Sequence, residues 1–298
     1  EHKGRIHADI NPIKSDTGGT VTGRFSYSNP NLQQIPARNK DLGPMIRGLF
    51  IPEENCKWGC FDYSQQEPRL VVHYAATTEP ISFNESVTKI VEKFKDDSVD
   101  FHQTVADMAN ISRSQAKTIN LGLFYGMGKA KLQAELGLST KQEAENLFNQ
   151  YHDNVPFVRE LMNRTSSFAQ TSGSIGTLLG RKCRFDKWEP ATFGMHTPMT
   201  LEEAERTYGR GRIRRAFTYK ALNKLIQGSA ADMTKKAMLD LYQEGIVPHI
   251  QIHDELDLSI ESDAQAKKII EIMENAVTLA VPNKVDYESG NTWGEING

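Results

Sequence analysis

The segment HIQIHDELDLSI, residues 249–260, alternates apolar and polar residues with a period of two. This alternation predicts a half-buried β-strand or hairpin. Asp254 falls on the same parity as the aliphatic residues. Burial of a carboxylate there costs on the order of several kcal/mol unless the carboxylate is paired or bound to a cation. Either the chain turns tightly at His253 and Asp254, which exposes the carboxylate, or Asp254 faces a metal ion. The two interpretations are compatible, because a turn can present a carboxylate to an ion.

A second carboxylate lies at the end of another apolar stretch, in WGCFDYSQQEPRL at residues 58–70. Here Asp62 follows a β-like run. Ser64 and Glu67 have the spacing of a capping box, whereas Pro68 favours a helix that begins at Pro68 and leaves Glu67 outside it, free to face a ligand. Two aspartates at strand ends, far apart in the chain, suggest one composite site.

The third informative segment is RSQAKTINLGLFYG, residues 113–126. Arg113, Lys117, Leu121 and Tyr125 recur every four residues, so a helix places them on one face. That face is basic at one end and aromatic at the other. It is either an ordinary amphipathic surface or a face that binds a triphosphate and packs against a base or sugar.

Around these segments the sequence predicts an α+β fold without regular βαβ alternation. We expect a strand ending near Phe61, helices near 70–76, 101–136, 140–172 and 221–245, and a final helix near 264–280 followed by a polar tail. Capping-box spacing occurs at Thr140 and Glu143, and again at Thr200 and Glu203.

Composition is that of an ordinary globular protein, with 298 residues, 38% hydrophobic and 24% charged. No run of eighteen apolar residues occurs, so we expect no membrane span. Three cysteines are too few for a disulfide framework or a closed zinc site, which favours a cytoplasmic location (the host cytoplasm if the source is viral). The net charge of −3 argues weakly against nucleic acid, yet residues 208–231 hold six Lys or Arg and no acid. Such a segment is either a solvated helix face or a local positive surface for phosphate.

Three of these segments together resemble the polymerase motifs of family A DNA polymerases, the group of bacterial DNA polymerase I and many phage enzymes. The motifs are DYSQQEPR at 62–69, RSQAKTINLGLFYG at 113–126 and IHDEL at 252–256. TGRFSYSNPNLQQIPAR at 22–38 and NKLIQGSAADMTKKAM at 223–238 are similar to the family's flanking segments. The resemblance implies a right-hand architecture, with the palm at 1–70 and 233–298, the fingers at 71–232 and the thumb absent.

The resemblance also implies template-directed DNA synthesis, in which dNTPs are added to a primer 3′-hydroxyl on primer–template DNA. Asp62, Asp254 and the backbone carbonyl of Tyr63 would bind two Mg²⁺ ions, and Glu255 is a lesser catalytic carboxylate beside them. Arg113 and Lys117 would bind the triphosphate, with Lys117 a candidate catalytic proton donor. The nucleotide site would further include Glu67 as the steric gate against a 2′-hydroxyl, with Tyr63, Leu121, Tyr125 and Gly126. Residues matching the DNA-lining positions are Arg24, Asn31, Gln33, Arg38, Asn223, Gln227 and His253.

Two departures from the family pattern affect this interpretation. Leu121 stands where many members carry Phe or Tyr, and residues 186–212 form a longer connection. The arginines that close that connection at 210–215 either contact phosphate or lie in a solvated loop.

A partner is also expected. Because the resemblance begins near residue 5, we expect a second chain or a missing segment to carry the thumb, and with it a 3′–5′ exonuclease domain. A single-subunit RNA polymerase and a non-catalytic DNA-binding subunit are the alternatives. Glu67 and the DYSQ and HDE motifs favour DNA synthesis.

Overall fold

The computed structural model describes residues 4–16, 18–36, 39–96, 99–124, 129–192 and 194–296. It confirms an α+β fold built of helices and antiparallel strands. The chain divides into two compact units, Glu1–Arg69 with Gln227–Gly298 (the first unit) and Leu70–Ile226 (the second unit). Arg38, Tyr125, Gly126 and the side chain of Leu121 lie outside the described residues.

The first unit is built on a four-stranded antiparallel sheet. In spatial order its strands are β10 (Val285–Gly290), β3 (Lys57–Tyr63), β9 (Glu255–Ile260) and β8 (Ile250–Ile252). The central strands β3 and β9 carry the apolar runs predicted for buried strands. A separate antiparallel pair, β1 (Asp9–Asn11) and β2 (Ser26–Ser28), packs Tyr27 into the same core as Trp58. The register pairs Asp62 with Glu255 on one side and with Asp286 on the other.

Helices α1 (Leu42–Arg47) and α11 (Asp263–Asn275) belong to the first unit, and the unit boundaries fall within α2 (Gln66–Thr77) and α10 (Ala221–Gln243). Trp293, which is fully buried, is stacked on Trp58 with ring centroids 5.9 Å apart. The guanidinium of Arg47 lies 4.3 Å from the centre of the Trp293 ring. Aromatic packing therefore fixes the chain terminus against one face of the sheet.

The expectation of a polar tail after the last helix is wrong. Residues 285–290 form β10, which pairs with β3 along its whole length. The polar composition of VDYESG misled the prediction because an edge strand keeps one face in water. Gly294 is required just beyond it, since a Cβ there would lie 2.4 Å from the carbonyl oxygen of Pro44.

The second unit is mainly helical. The predicted helical stretch over 101–136 is instead divided into α4 (Phe101–Ala109), α5 (Arg113–Phe124) and α6 (Lys129–Glu135), after α3 (Glu85–Lys93). Asn110 ends α4 in the left-handed conformation with φ of 52°, which an asparagine tolerates. The stretch over 140–172 likewise divides into α7 (Lys141–Asn154) and α8 (Pro156–Ser172), because Pro156 starts a new helix.

Both predicted capping boxes are confirmed, at the start of α7 and at the start of α9 (Leu201–Tyr208). Residues 186–212 are more than a loop. They hold β6 (Trp188–Pro190) and α9, and β6 pairs with β7 (Ile213–Arg215). A second small hairpin, β4 (Ser174–Gly176) with β5 (Lys182–Arg184), lies before it. In the described part of the chain, no helix is both long and apolar enough to cross a lipid bilayer.

The core of the second unit contains a histidine whose ring nitrogens have no hydrogen-bond partner among the described residues. His152 is 2% exposed and packs edge-on against Phe148 and Tyr151. Burial, together with the nearby positive charge of Arg159, lowers the pKa of His152 to about 4. The neutral imidazole is therefore the folded form at neutral pH.

We expect His152→Leu to stabilise the chain by about 1–2 kcal/mol, because it removes two buried polar atoms that make no hydrogen bond. The folded pKa lies below the unfolded value of about 6.5, so wild-type stability falls as pH drops from 6.5 towards 4. The variant should lose less stability over that range in denaturant unfolding. His196→Leu is the control, since His196 bonds the carbonyl of Thr192. Equal pH slopes for wild type and His152→Leu would contradict this account.

Candidate active site

The β8–β9 hairpin turns at His253 and Asp254, which confirms the predicted turn, although the Asp254 side chain is half-buried and not exposed. His253 adopts a positive φ of 57°. The backbone N–H of Tyr63 at the end of β3 donates to the carbonyl of Asp254 at 3.4 Å. The turn is thus fixed beside the strand end that carries Asp62, and the negative charge of Asp254 acts on the Asp62 carboxyl.

Acidic side chains converge at this edge. Burial and the negative charges of Asp254, Asp286 and Asp257 raise the pKa of Asp62 to about 7. Burial and the charges of Asp257 and Asp62 raise the pKa of Glu255 to about 8. Burial also raises the pKa of Asp254, against the opposing effect of the Arg24 guanidinium. Crowded carboxylates with raised pKa values are the donor set that a hard divalent cation stabilises.

Sequence reasoning missed Asp257, which lies on the polar parity of the hairpin yet is fully buried. It accepts hydrogen bonds from the Trp58 indole at 3.1 Å and the Cys60 thiol at 2.6 Å. Ligand atoms of Cys60, Glu255 and Asp257 lie within 4.8 Å of one another. Burial and the charge of Asp257 raise the pKa of the Cys60 thiol, so it serves as a proton donor and not as a thiolate ligand. The position of Asp257 in the middle of β9, a strand buried on both faces, is the feature that could have indicated its burial.

Glu67 lies inside a helix, contrary to the expectation that the helix begins at Pro68. Helix α2 begins at Gln66, which puts Glu67 in its first turn. Its carboxylate accepts a hydrogen bond from the Arg24 guanidinium at 2.7 Å, and the two side chains are only 15% and 23% exposed. The predicted sugar gate and a predicted DNA contact therefore form one half-buried ion pair.

His253 adjoins this pair. Partial burial and the charge of Arg24 lower the pKa of His253, while the charge of Glu67 opposes the shift. The carbonyl of His253 accepts a hydrogen bond from the buried side chain of Gln251, whose own carbonyl accepts one from Gln33 at 3.2 Å. Asn31 caps the turn that carries Gln33. These contacts fix the hairpin tip in place.

Tyr63 can contribute only its backbone to this edge of the sheet. Its ring is buried, and its hydroxyl donates to the carbonyl of Met273 at 2.6 Å. Among the other predicted DNA contacts, Asn223 and Gln227 are half-buried and lie four residues apart on α10.

In the second unit, the predicted phosphate-binding residues lie at the start of α5. Arg113 and Lys117 are exposed one helical turn apart. Arg113 forms a salt bridge with Asp100 at 2.6 Å, and Asp100 also caps α4 by accepting from the backbone N–H of His102. Partial burial opposes the shift, but hydrogen bonds from Gln103 and Arg113 lower the pKa of Asp100. A fixed carboxylate thus holds the Arg113 guanidinium.

His102 is a further residue of this face that the sequence analysis missed. Burial lowers its pKa, and the charges of Lys117 and Arg113 act in the same direction. Its Nδ1 lies 3.1 Å from the side-chain nitrogen of the buried Asn120. The ring is thereby oriented beside both cations.

The chain is similar to known DNA polymerases in both sequence and structure. The family described as DNA polymerase family A matches residues 1–295. The DNA-directed DNA polymerase of Pseudomonas phage M6 is 34% identical, over 99% of this chain and 48% of the phage protein. DNA polymerase I of Caldicellulosiruptor bescii is 37% identical, over 98% of this chain and 32% of the bacterial protein.

Structural comparison agrees. The POL domain of Pol1 from M. smegmatis, solved in complex with DNA primer–template and dNTP, superposes with a TM-score of 0.77 and 29% identity. The match covers 99% of this chain and 49% of that one. The chain belongs to DNA polymerase family A. It spans about half the length of the phage relative.

The Arg24–Glu67 contact is testable without any assay of activity. A double-mutant cycle of Arg24→Ala and Glu67→Ala in urea unfolding should give a coupling energy of about 1 kcal/mol or more, because the pair is half-buried. Arg5 and Glu53 provide the control, since this pair is 2.7 Å apart but about half exposed, and solvent screens the attraction within an exposed pair. Additive effects of the two Arg24–Glu67 substitutions, within about 0.3 kcal/mol, would refute the contact.

Proposed function

We propose that this chain is the catalytic portion of a template-directed DNA polymerase that adds deoxynucleotides to a primer 3′-hydroxyl. The observation that carries the proposal is the convergence of Asp62 and Asp254, distant in sequence, at one edge of the sheet. Family membership and the DNA polymerases among its relatives support it.

The same edge has the donor set for divalent cations. Asp62 and Asp254 would hold two Mg²⁺ ions, with the backbone carbonyl of Tyr63 as a further ligand. Bound Mg²⁺ lowers the pKa of an attacking hydroxyl and neutralises triphosphate charge. Mg²⁺ needs few protein carboxylates, because substrate oxygens and waters complete its coordination. Glu255 adds negative charge beside the two ligands, and Asp257 stays in the hydrogen-bonded interior.

The residues at the start of α5 suit the incoming nucleotide. We propose that Arg113 and Lys117 bind its phosphates, Arg113 through its planar fork of donors and Lys117 also as the proton donor to pyrophosphate. His102 lies on the same face and joins them. Leu121, Tyr125 and Gly126 complete the proposed nucleotide face further along the motif.

We propose that residues 1–70 and 233–298 form the palm and residues 71–232 the fingers. The first and second units have nearly these bounds and differ from them only at Leu70 and at residues 227–232. We propose that primer–template DNA contacts Arg24, Asn31, Gln33, Arg38, Asn223, Gln227 and His253. Minor-groove acceptors are similar across base pairs, so Arg24 and Gln227 would sense pair geometry without reading sequence.

The proposed polymerase includes a polypeptide region outside this chain. Because the chain spans about half the length of the phage relative, we propose that another segment or a second chain supplies the thumb, and with it a 3′–5′ exonuclease domain. A thumb would add phosphate contacts that strengthen binding and its salt dependence. The expected location is the cytoplasm, that of the host for a viral source.

Replacement of Asp254 by Asn should abolish nucleotide incorporation and leave DNA binding nearly unchanged, since a metal ligand is lost without loss of shape. Single-turnover incorporation and fluorescence anisotropy of labelled primer–template measure the two effects. Glu288→Gln is the matched control, because Glu288 is an exposed carboxylate on β10 of the same sheet. Near-normal incorporation by Asp254→Asn at saturating Mg²⁺ would exclude the metal assignment.

Glu67→Ala should raise ribonucleotide use relative to deoxyribonucleotide use, because the smaller side chain leaves room for a 2′-hydroxyl. The ratio of kcat/KM for the two sugars measures this change, alongside a melting curve. Glu85→Ala controls for the loss of an acid from the first turn of a helix. A lower melting temperature with an unchanged sugar ratio would assign Glu67 a purely structural role.

A further inference from the structure

The connection between β7 and α10, residues 216–220, carries two aromatic side chains that are exposed to solvent. Within it Ala216 is buried, whereas Phe217 is 37% and Tyr219 54% exposed. Lys220, the residue after Tyr219, is exposed as well. Residues 217–220 are called the aromatic loop below.

Phe217 also has an unfavourable backbone conformation. Its φ of 64° and ψ of 11° lie in the left-handed region. Residues other than glycine and asparagine rarely occupy this region, and bulky residues least of all. A glycine at this position would fold with less strain and would expose no apolar ring. A partly exposed phenylalanine in this strained conformation stabilises the fold little, which is consistent with a role for the ring in binding.

The two rings and one cation form a single surface. The Lys220 ammonium lies 5.1 Å from the centre of the Phe217 ring and 5.5 Å from that of the Tyr219 ring. The charge around them is uniformly positive in sequence, because residues 208–231 contain six Lys or Arg and no Asp or Glu. Arg214 of β7 is exposed but forms a salt bridge with Glu189 of β6, so Lys220 is the cation that directly faces the two rings.

Exposed aromatic faces beside cations match the chemistry of unpaired nucleotides. Each nucleobase has a face that stacks on a ring, and its phosphate is attracted by the ammonium. A duplex buries those faces within its own stack and offers only base edges and phosphates. A partner protein with an uncharged surface would not interact favourably with the positive charge of Lys220.

We propose that Phe217, Tyr219 and Lys220 bind unpaired nucleotides of a DNA strand by stacking and phosphate contact. Under the proposed function, on which this assignment rests, the strand is the single-stranded part of the template. The surface would add affinity for a template overhang without reading its sequence.

Anisotropy of labelled oligothymidylate, and of a blunt-ended hairpin duplex, tests the proposal without any nucleotide present. Phe217→Ala and Tyr219→Ala should each weaken oligothymidylate binding about 5- to 100-fold and change duplex binding less than twofold. Phe83→Ala is the matched control, since Phe83 is 75% exposed in the same unit but lies between Glu79 and Glu85 in the sequence, without a neighbouring cation. Lys220→Met should reduce the slope of log affinity against log salt concentration by about 1.

Phe217→Gly separates binding from folding. It removes the strain, so the melting temperature should be at least that of wild type, while oligothymidylate binding should fall as in Phe217→Ala. Equal losses of affinity for single strand and duplex would overturn the proposal. Unchanged oligothymidylate binding by the folded variants would also overturn it, and would favour a protein as the partner of the loop. Near-normal incorporation by Asp254→Asn, with oligothymidylate binding still dependent on Phe217 and Tyr219, would refute the proposed function and leave this proposal standing.

Discussion

Mutual repulsion among carboxylates is the constraint on which the first unit depends. Asp62, Asp254 and Glu255 meet where β3 ends and the β8–β9 hairpin turns, and the strand register allows none of them to move away independently. Burial first, and then the neighbouring negative charges, raise the pKa values of Asp62 and Glu255 to about 7 and about 8. A fold that maintains such crowding spends stability on a site, which is the usual relation between stability and function.

The stability that offsets this repulsion comes from the interior beneath it. Asp257 accepts hydrogen bonds from Trp58 and Cys60, and the stacked Trp58 and Trp293 rings close the same face of the sheet. Laterally, the Gln33–Gln251–His253 contacts hold the turn. The hairpin is thus fixed by the hydrogen bonds of Asp257 in the interior and by the contacts of Gln251 at the turn. Its acidic tip is not used in these contacts. In the second unit, Asp100 plays a comparable part for Arg113, because one carboxylate both caps a helix and holds a guanidinium.

Sequence reasoning predicted the features that depend on local pattern. The period-two alternation indicated the hairpin and the anomaly of Asp254, and capping-box spacing located the starts of α7 and α9. It failed where long-range contacts decide the outcome. The strand β10 has polar residues because it is an edge strand, and only its pairing with β3 identifies it. The burial of Asp257 depends on neighbouring strands, and the pairing of Arg24 with Glu67 joins residues 43 positions apart. Family resemblance supplied roles for site residues that pattern alone left open.

The most direct test of the account is thermal unfolding of wild type and Asp62→Asn as a function of Mg²⁺ concentration, at a pH above the raised carboxyl pKa values. Without divalent cations, Asp62→Asn should unfold at a higher temperature than wild type, because one repelling charge is gone. Added Mg²⁺ should then raise the melting temperature of wild type by mass action and leave the variant nearly unchanged. An equal response of the two proteins to Mg²⁺, or no response of the wild type, would contradict the claim that these carboxylates form a metal-binding catalytic centre.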